Sequence, residues 1–192
     1  PGALTASQAA RRERVLRTAL ELGSSGGYDA VQMRDVAASA GVALGTIYRY
    51  FASKDHLLAA ARVEWVKDLE RRGGQRPPRG DTVADRVMDV LSRATRAMER
   101  EPQLSEAVVT ALMSPDPGAA SCQEAVSGSM TRILATALGS DFDAELQADL
   151  TRTLGHVWFS ALIGWVNGWS GIERVGDEVA LATHLILDQY DR

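Results

Sequence analysis

The chain holds a single cysteine, Cys122, among its 192 residues. That excludes an intramolecular disulfide and any cysteine-built zinc cage, and it makes a reducing cytoplasm the expected compartment. No apolar run reaches the roughly 18–20 residues of a membrane span. The longest, residues 154–165, is broken by Gly155, His156, Ser160 and Gly164. The N-terminal segment has no apolar core behind its charges, so no signal peptide is expected, and without an initiator methionine the native chain is expected to begin further upstream. Alternating strand patterns and internal repeats are missing. So are a Walker loop, a dinucleotide fingerprint, a G-x-S-x-G elbow and an HExxH helix. The three histidines, His56, His156 and His184, are scattered. His156 beside Trp158 is either a pocket residue or a satisfied core or interface histidine. Neither catalysis, a cofactor nor a metal is expected.

What remains is an ordinary globular composition, 45% hydrophobic and 24% charged, sufficient for one domain or two small ones. The charge is uneven. Residues 1–72 carry 11 basic and 8 acidic side chains, whereas residues 73–192 carry 10 and 17. A mildly basic head on an acidic body suits different partners, although scatter alone gives a difference of this size.

Helical periodicity dominates. Ser7 is the expected cap of a helix ending near Ser25, before Gly26 and Gly27. Further helices are expected over 33–40, 44–50 and, from a Ser53 cap, to 72. The segment GGQRPPRGD (73–81) reads as a linker, because adjacent prolines cannot continue a helix. Beyond it helices are expected over 81–100 with Asp81 as cap, 102–113, 119–138, 144–169 and 176–190. The fold class is therefore all-α, with about nine helices.

Residues 33–51, MRDVAASAGVALGTIYRYF, follow helix-turn-helix grammar. Gly41 permits a left-handed turn, and Val36, Ala37 and Val42 fill a small core. Gly45 and Thr46 are small enough for close approach to a phosphate backbone, and the start of the second short helix offers free N–H groups. Tyr48, Arg49 and Tyr50 follow as donors, and Lys54 opens the next helix. Many helical bundles share this outline without touching nucleic acid.

The stretch GGYDAVQMRDVAASAGVALGTIYRYFASKDHLL (26–58) resembles the DNA-binding domain of the TetR family of bacterial transcriptional regulators. The likeness extends over about residues 10–70 and rests on the frame RDVA..AGV..GT.Y.YF..K..L. Within that family, GGYDAVQMR, VALGTIYRYFASKDHLL, RATRAMEREPQLSEA and HVWFSALIGWV are similar to the actinobacterial cholesterol-catabolism repressors. The resemblance implies a three-helix DNA-binding domain over 1–53 and a ligand-binding and dimerisation domain over 54–192, with helix 54–72 joining them. The chain departs from common family usage at three positions: Gln32 and Ala43 replace capping Ser or Thr, a loss of about 0.5–2 kcal/mol per cap, and Leu44 stands where lysine is frequent.

Matching positions imply that Thr46, Tyr48 and Lys54 contact phosphates of an operator duplex, and Gln32 and Arg34 its backbone. Leu44, Gly45 and Arg49 are implied to reach base edges. Arg49 has alternatives as a phosphate clamp or a salt bridge to Asp35. Arg11, Arg12 and Arg14 either reach a neighbouring groove or are solvated, and Phe51 is expected in the core. Apolar stripes on the last two helices exceed what one protomer needs, which in this family means a homodimer. Val157, Ala161, Gly164, Gly168, Val179, Ala182, Leu185 and Ile186 are its expected interface, with internal core as the alternative. The resemblance also implies a pocket drawn from Met88, Leu91, Met98, Leu104, Val108, Leu112, Met113, Met130, Leu134, Trp158, Phe159 and Leu162, each singly a natural core residue. Its expected occupant is a small hydrophobic effector, a steroid acyl-CoA, with Arg93, Arg96 and Arg132 meeting phosphates or simply solvated. The function implied is a ligand-responsive repressor. Alternatives are a regulator of efflux or lipid metabolism responding to another apolar ligand, and a helical carrier without DNA binding.

Overall fold

The computed structural model describes residues 5–190, residues 73–75 by their backbone alone. Among the described residues the regular structure is helical throughout: α1 (Ala6–Ala30), α2 (Met33–Ser39), α3 (Leu44–Tyr50), α4 (Lys54–Gln75), α5 (Val83–Glu99), α6 (Pro102–Leu112), α7 (Pro117–Leu138), α8 (Ala144–Val166) and α9 (Ile172–Leu187). The all-α expectation holds. No helix of the described residues is long and apolar enough to cross a membrane.

Several helix ends differ from expectation for identifiable reasons. Thr5, not Ser7, caps α1: its hydroxyl accepts from Gln8 N while its own N–H donates to Gln8 Oε1. Thr82, not Asp81, caps α5 through the same reciprocal exchange with Asp85. A cap with a partner three residues on satisfies two orphan donors at once and outcompetes a lone hydroxyl or carboxylate. The helical geometry of α1 breaks at Gly26 and Gly27, the latter at φ +69°, and resumes for a last turn. Helix α4 runs through the paired glycines to Gln75, since glycine weakens a helix whereas Pro77 stops it. Gly168 at φ +71° turns the chain early, so α8 ends at Val166 and α9 starts at Ile172 rather than 176.

The chain forms two compact units. One comprises the residues up to Glu64 with Glu101–Glu124; the other is Trp65–Arg100 with Ala125 onward. The sequence division at residue 53 does not foresee the return of α6 to the first unit. There α6 packs along α1, where a Cβ on Gly23 would lie 2.9 Å from Leu104 Cδ1. Leu104 and Val108 join a core with Val15, Leu16, Val36, Ile47, Phe51 and Leu57. In the second unit α9 packs against α5 and α8. Its buried residues Val175, Val179, Thr183 and Leu187 recur at four-residue steps, one face of a helix.

Candidate nucleic-acid interface and arginine-lined cavity

In the first unit Gly41 sits at φ +63° between α2 and α3, and a Cβ there would meet nothing. Backbone conformation, not space, requires glycine at this turn. Helix α3 is anchored by Ile47 (0% exposed) and by Phe51 (1%) just beyond it. Leu44, Gly45, Tyr48 and Arg49 are related by steps of three and four and are all exposed, so they share the opposite face. Gln32 and Arg34 are exposed; Thr46 and Lys54 are half-buried. Neither α2 nor α3 has a side-chain cap, as the substitutions at 32 and 43 suggest, and Gln32 instead donates to Asp29 O at 2.9 Å. Val36 and Ala37 are buried and Val42 packs against them, as expected.

Several basic and aromatic groups are more constrained than the sequence suggested. The Arg12 guanidinium lies 3.6 Å from Glu64 and 5.5 Å from the Phe51 ring centroid, so it is held within the first unit as well as partly exposed. Arg11 is half-buried and Arg14 exposed. Arg49 lies over Tyr50 at 5.4 Å and pairs with no carboxylate among the described residues, so the Asp35 bridge does not form. The Tyr50 hydroxyl is enclosed without a hydrogen-bond partner among the described residues, unlike the donor the sequence suggested. Lys54 donates to Tyr28 O at 3.2 Å with its ammonium 3.6 Å from the Tyr28 ring centroid. Tyr28 in turn donates its hydroxyl to Asp55 at 2.5 Å. Burial, then Asp55, push the Tyr28 phenol up to about 12, so it remains a donor at neutral pH. This aromatic seat for Lys54 carries no sequence signal, because residues 28 and 54 are brought together only by the fold.

The second unit contains a cavity of about 520 Å³, within the ~300–1,000 Å³ of small-molecule sites. Leu69, Glu70 and Arg72 line it from α4, Arg76 and Pro78 from the linker, Val90, Arg93, Arg96 and Arg100 from α5 and its end, and Arg132, Ile133 and Thr136 from α7. Six arginines thus surround one carboxylate. Arg132 grips Glu70 with Nε on Oε1 at 2.7 Å and Nη2 on Oε2 at 3.1 Å, and donates to Ser129 Oγ at 2.8 Å. The Arg132 hydrogen bond holds the Glu70 carboxyl below its ordinary range. Arg93 pairs with Asp89 at 2.7 Å and donates to Arg76 O; Arg72 pairs with Asp68. Arg76, Arg96 and Arg100 pair with no carboxylate among the described residues.

Arg93, Arg96 and Arg132, expected either to meet phosphates or to be solvated, all line this cavity, but none of the twelve apolar pocket candidates does. Leu91, Met98, Met130, Leu134, Trp158 and Leu162 are buried in the second unit, with Met88 and Phe159 half-buried. Leu104, Val108, Leu112 and Met113 belong to the first unit, Met113 exposed. Trp158 Nε1 donates to Thr95 Oγ1 at 3.0 Å inside the core, which satisfies its only polar group. Of the interface candidates, Ala161, Gly164 and Val179 are buried within the protomer. Val157, Ala182 and Ile186 are half-buried, and Gly168 and Leu185 exposed. Two exposed apolar residues were missed: Leu181, one turn from Leu185, and Trp169. The signal was there, since 181 and 185 lie opposite the buried face of α9.

Among the described residues no cluster could hold a metal ion. His156 is exposed, so it is not a core histidine, and it does not line the cavity; His184 contacts Asp188 at 3.0 Å. His56 Nδ1 accepts from Ala52 N at 3.2 Å, and burial is the main cause lowering its pKa.

A family model described as "Bacterial regulatory proteins, tetR family" matches residues 15–61, and one described as "Tetracyclin repressor-like, C-terminal domain" matches residues 80–186. The HTH-type transcriptional repressor KstR of Rhodococcus jostii RHA1 is 40% identical over 97% of this chain and 87% of that protein. A TetR transcriptional regulator from Rhodococcus sp. RHA1 has a crystal structure that superposes with TM-score 0.83 and 31% identity, covering 93% of this chain and 96% of that one. Thermus thermophilus FadR, a TetR-family repressor solved with lauroyl-CoA, shares the fold at TM-score 0.67 and 23% identity, over 91% and 93% of the two chains.

Proposed function

Because the chain belongs to the TetR family of bacterial regulatory proteins, we propose that it is a ligand-responsive transcriptional repressor that binds a palindromic operator as a homodimer in the cytoplasm. The observation that carries this reading is the outer face of α3. Leu44, Gly45, Tyr48 and Arg49 project from a helix fixed on its other side by Ile47, the arrangement that lets a short helix enter a major groove. A helical carrier that has given up DNA binding has no use for an unpaired Arg49 there. The exposed Leu181, Leu185 and Trp169 favour a twofold interface through α8 and α9. Such a dimer supplies two α3 helices for half-sites about 34–36 Å apart.

Operator duplexes selected from a random-sequence library test this reading. Affinity is expected to fall steeply with salt, about 0.9 log units per log unit of salt for each phosphate contacted. A flat dependence favours the carrier. Arg49→Ala is expected to cost about 1–3 kcal/mol and to relax preference at one guanine, measured by fluorescence anisotropy against single-base operator variants. Gly45→Ala separates folding from recognition. A Cβ at Gly45 meets nothing within the protein, and alanine removes the roughly 1 kcal/mol helix penalty of glycine. Thermal stability is therefore expected to hold or rise while operator affinity falls, because the methyl stands where the duplex approaches.

The effector we propose is a steroid acyl-CoA, and release is its consequence. Similarity to KstR over nearly the whole chain supports it. The same fold holds lauroyl-CoA in the Thermus protein, and the arginine cavity suits a phosphorylated ligand. A 100-fold loss of operator affinity on adding a cholesterol-derived CoA ester corresponds to about 2.7 kcal/mol of coupling. Unchanged affinity overturns this effector and leaves the repressor standing.

A further inference from the structure

We propose that the cavity between α4, α5 and α7 binds the phosphate-bearing end of the effector, and that Glu70 is its resident counter-ion, displaced from Arg132 as phosphate enters. The identification of the ligand as a CoA thioester rests on the proposed function; the phosphate site rests on the cavity itself. The first support is the local inversion of charge. Residues 73–192 hold ten basic side chains against seventeen acidic ones, yet five of those ten face this one cavity, joined by Arg72 from α4. Gathering six guanidinium groups around one volume is repulsive unless anions share it. Three of the six have their own carboxylate and Arg76, Arg96 and Arg100 have none among the described residues. Guanidinium is also the group that fits phosphate oxygens in pairs.

The second support is the way Glu70 is held. Among the described residues it is the only acid lining the cavity, and its two oxygens accept from Nε and Nη2 of Arg132. That is the geometry a phosphate would take, so the carboxylate marks an anion position already filled. The same hydrogen bond lowers the Glu70 pKa from its ordinary value, and the paired carboxylate competes for Arg132 with any entering anion. Leu69, Val90, Pro78 and Ile133 supply apolar wall beside the arginines. Such a mixture suits a nucleotide linked to a less polar arm better than it suits an inorganic ion. Glu70 thereby sets the affinity threshold. A singly charged carboxylic acid gains too little to evict it, whereas a ligand with several phosphate charges engages the unpaired arginines first.

The test is isothermal titration of the full chain with coenzyme A, 3′-dephospho-coenzyme A and ATP, with operator binding measured on the same preparations. Coenzyme A is expected to bind, more weakly as salt rises, and 3′-dephospho-coenzyme A to bind more weakly still. Glu70→Gln is expected to raise coenzyme A affinity about three- to five-fold, the scale of a solvent-accessible ion pair. Arg96→Gln is expected to lower it roughly ten-fold. In an Arg132→Gln background the gain from Glu70→Gln should vanish, a result that a change in folding alone would not produce. ATP binding tighter than coenzyme A would keep the phosphate site and overturn the CoA assignment. No binding of any of the three, or weaker coenzyme A binding by a folded Glu70→Gln protein, overturns the counter-ion proposal. Release of operator by the free steroid acid as effectively as by its CoA ester overturns it too. Operator binding that persists while coenzyme A binding fails leaves the repressor reading intact, and the reverse result sinks only that reading.

Discussion

Leu185→Glu is expected to give a folded monomer whose affinity for a two-half-site operator falls by about 10²–10⁴, the gain that linking two binding modules confers. Leu185 is 75% exposed, Leu181 is 62% exposed and Trp169 is 76% exposed. A glutamate at 185 therefore meets water in the free protomer and adds no burial cost to folding. In a twofold interface the same residue is buried in both copies. An uncompensated charge there costs about 3–5 kcal/mol, enough to dissociate a dimer at micromolar concentration. Two measurements give the outcome meaning. Sedimentation should show the mass of one chain, and affinity for an isolated half-site should be unchanged, because α3 and its neighbours are untouched. A variant that stays dimeric and binds normally would place the twofold contact elsewhere.

The second large effect is on stability. Phe51→Ala is expected to cost about 3–5 kcal/mol, the usual range for removing a buried aromatic ring, which is a large share of the ~5–15 kcal/mol that holds an ordinary domain together. Phe51 is 1% exposed and stands directly after α3, where its N–H closes the helix on Ile47 O at 2.9 Å. Its ring meets His56 edge-on at 5.5 Å, and Arg12 lies over it. One truncation thus loosens α1, α3 and the first turn of α4 together. Urea unfolding followed by circular dichroism should show a midpoint well below that of the parent. Arg49→Ala, exposed and unpaired, should leave the midpoint within about 0.5 kcal/mol of it. Equal stability of Phe51→Ala and the parent would mean that the reading helix is held by something other than this ring.

How much of this was legible follows from how local each determinant is. The turn at Gly41 and the anchoring of α3 by Ile47 and Phe51 depend on one backbone dihedral and on spacing within seven residues, so sequence pattern reaches them. Caps at Thr5 and Thr82 were misplaced by one or two residues because a reciprocal partner decided between adjacent candidates. The return of α6 to α1 depends on a recess at Gly23 filled by Leu104, eighty-one residues away, and no local rule contains that pairing. The apolar pocket candidates show a different limit. Leu91, Met98, Leu134 and Trp158 were chosen for being large and apolar, and those same properties make them core. The cavity that forms is edged instead by arginines, three of which were singled out. Arg72, Arg76 and Arg100 lie at helix ends and in the linker, and only the fold brings them to the same cavity as Arg132.

The crowding of basic side chains at one cavity also shapes the charge of each compact unit. Counted along the sequence, the first unit holds 8 basic and 10 acidic side chains and the second 13 and 15, so neither is cationic as a whole. Six of those thirteen line the cavity, and the rest of the second unit is left strongly acidic. A strand of phosphates is therefore drawn only locally, within about 8–10 Å of single exposed cations at ordinary salt, and not by a field set up across the molecule.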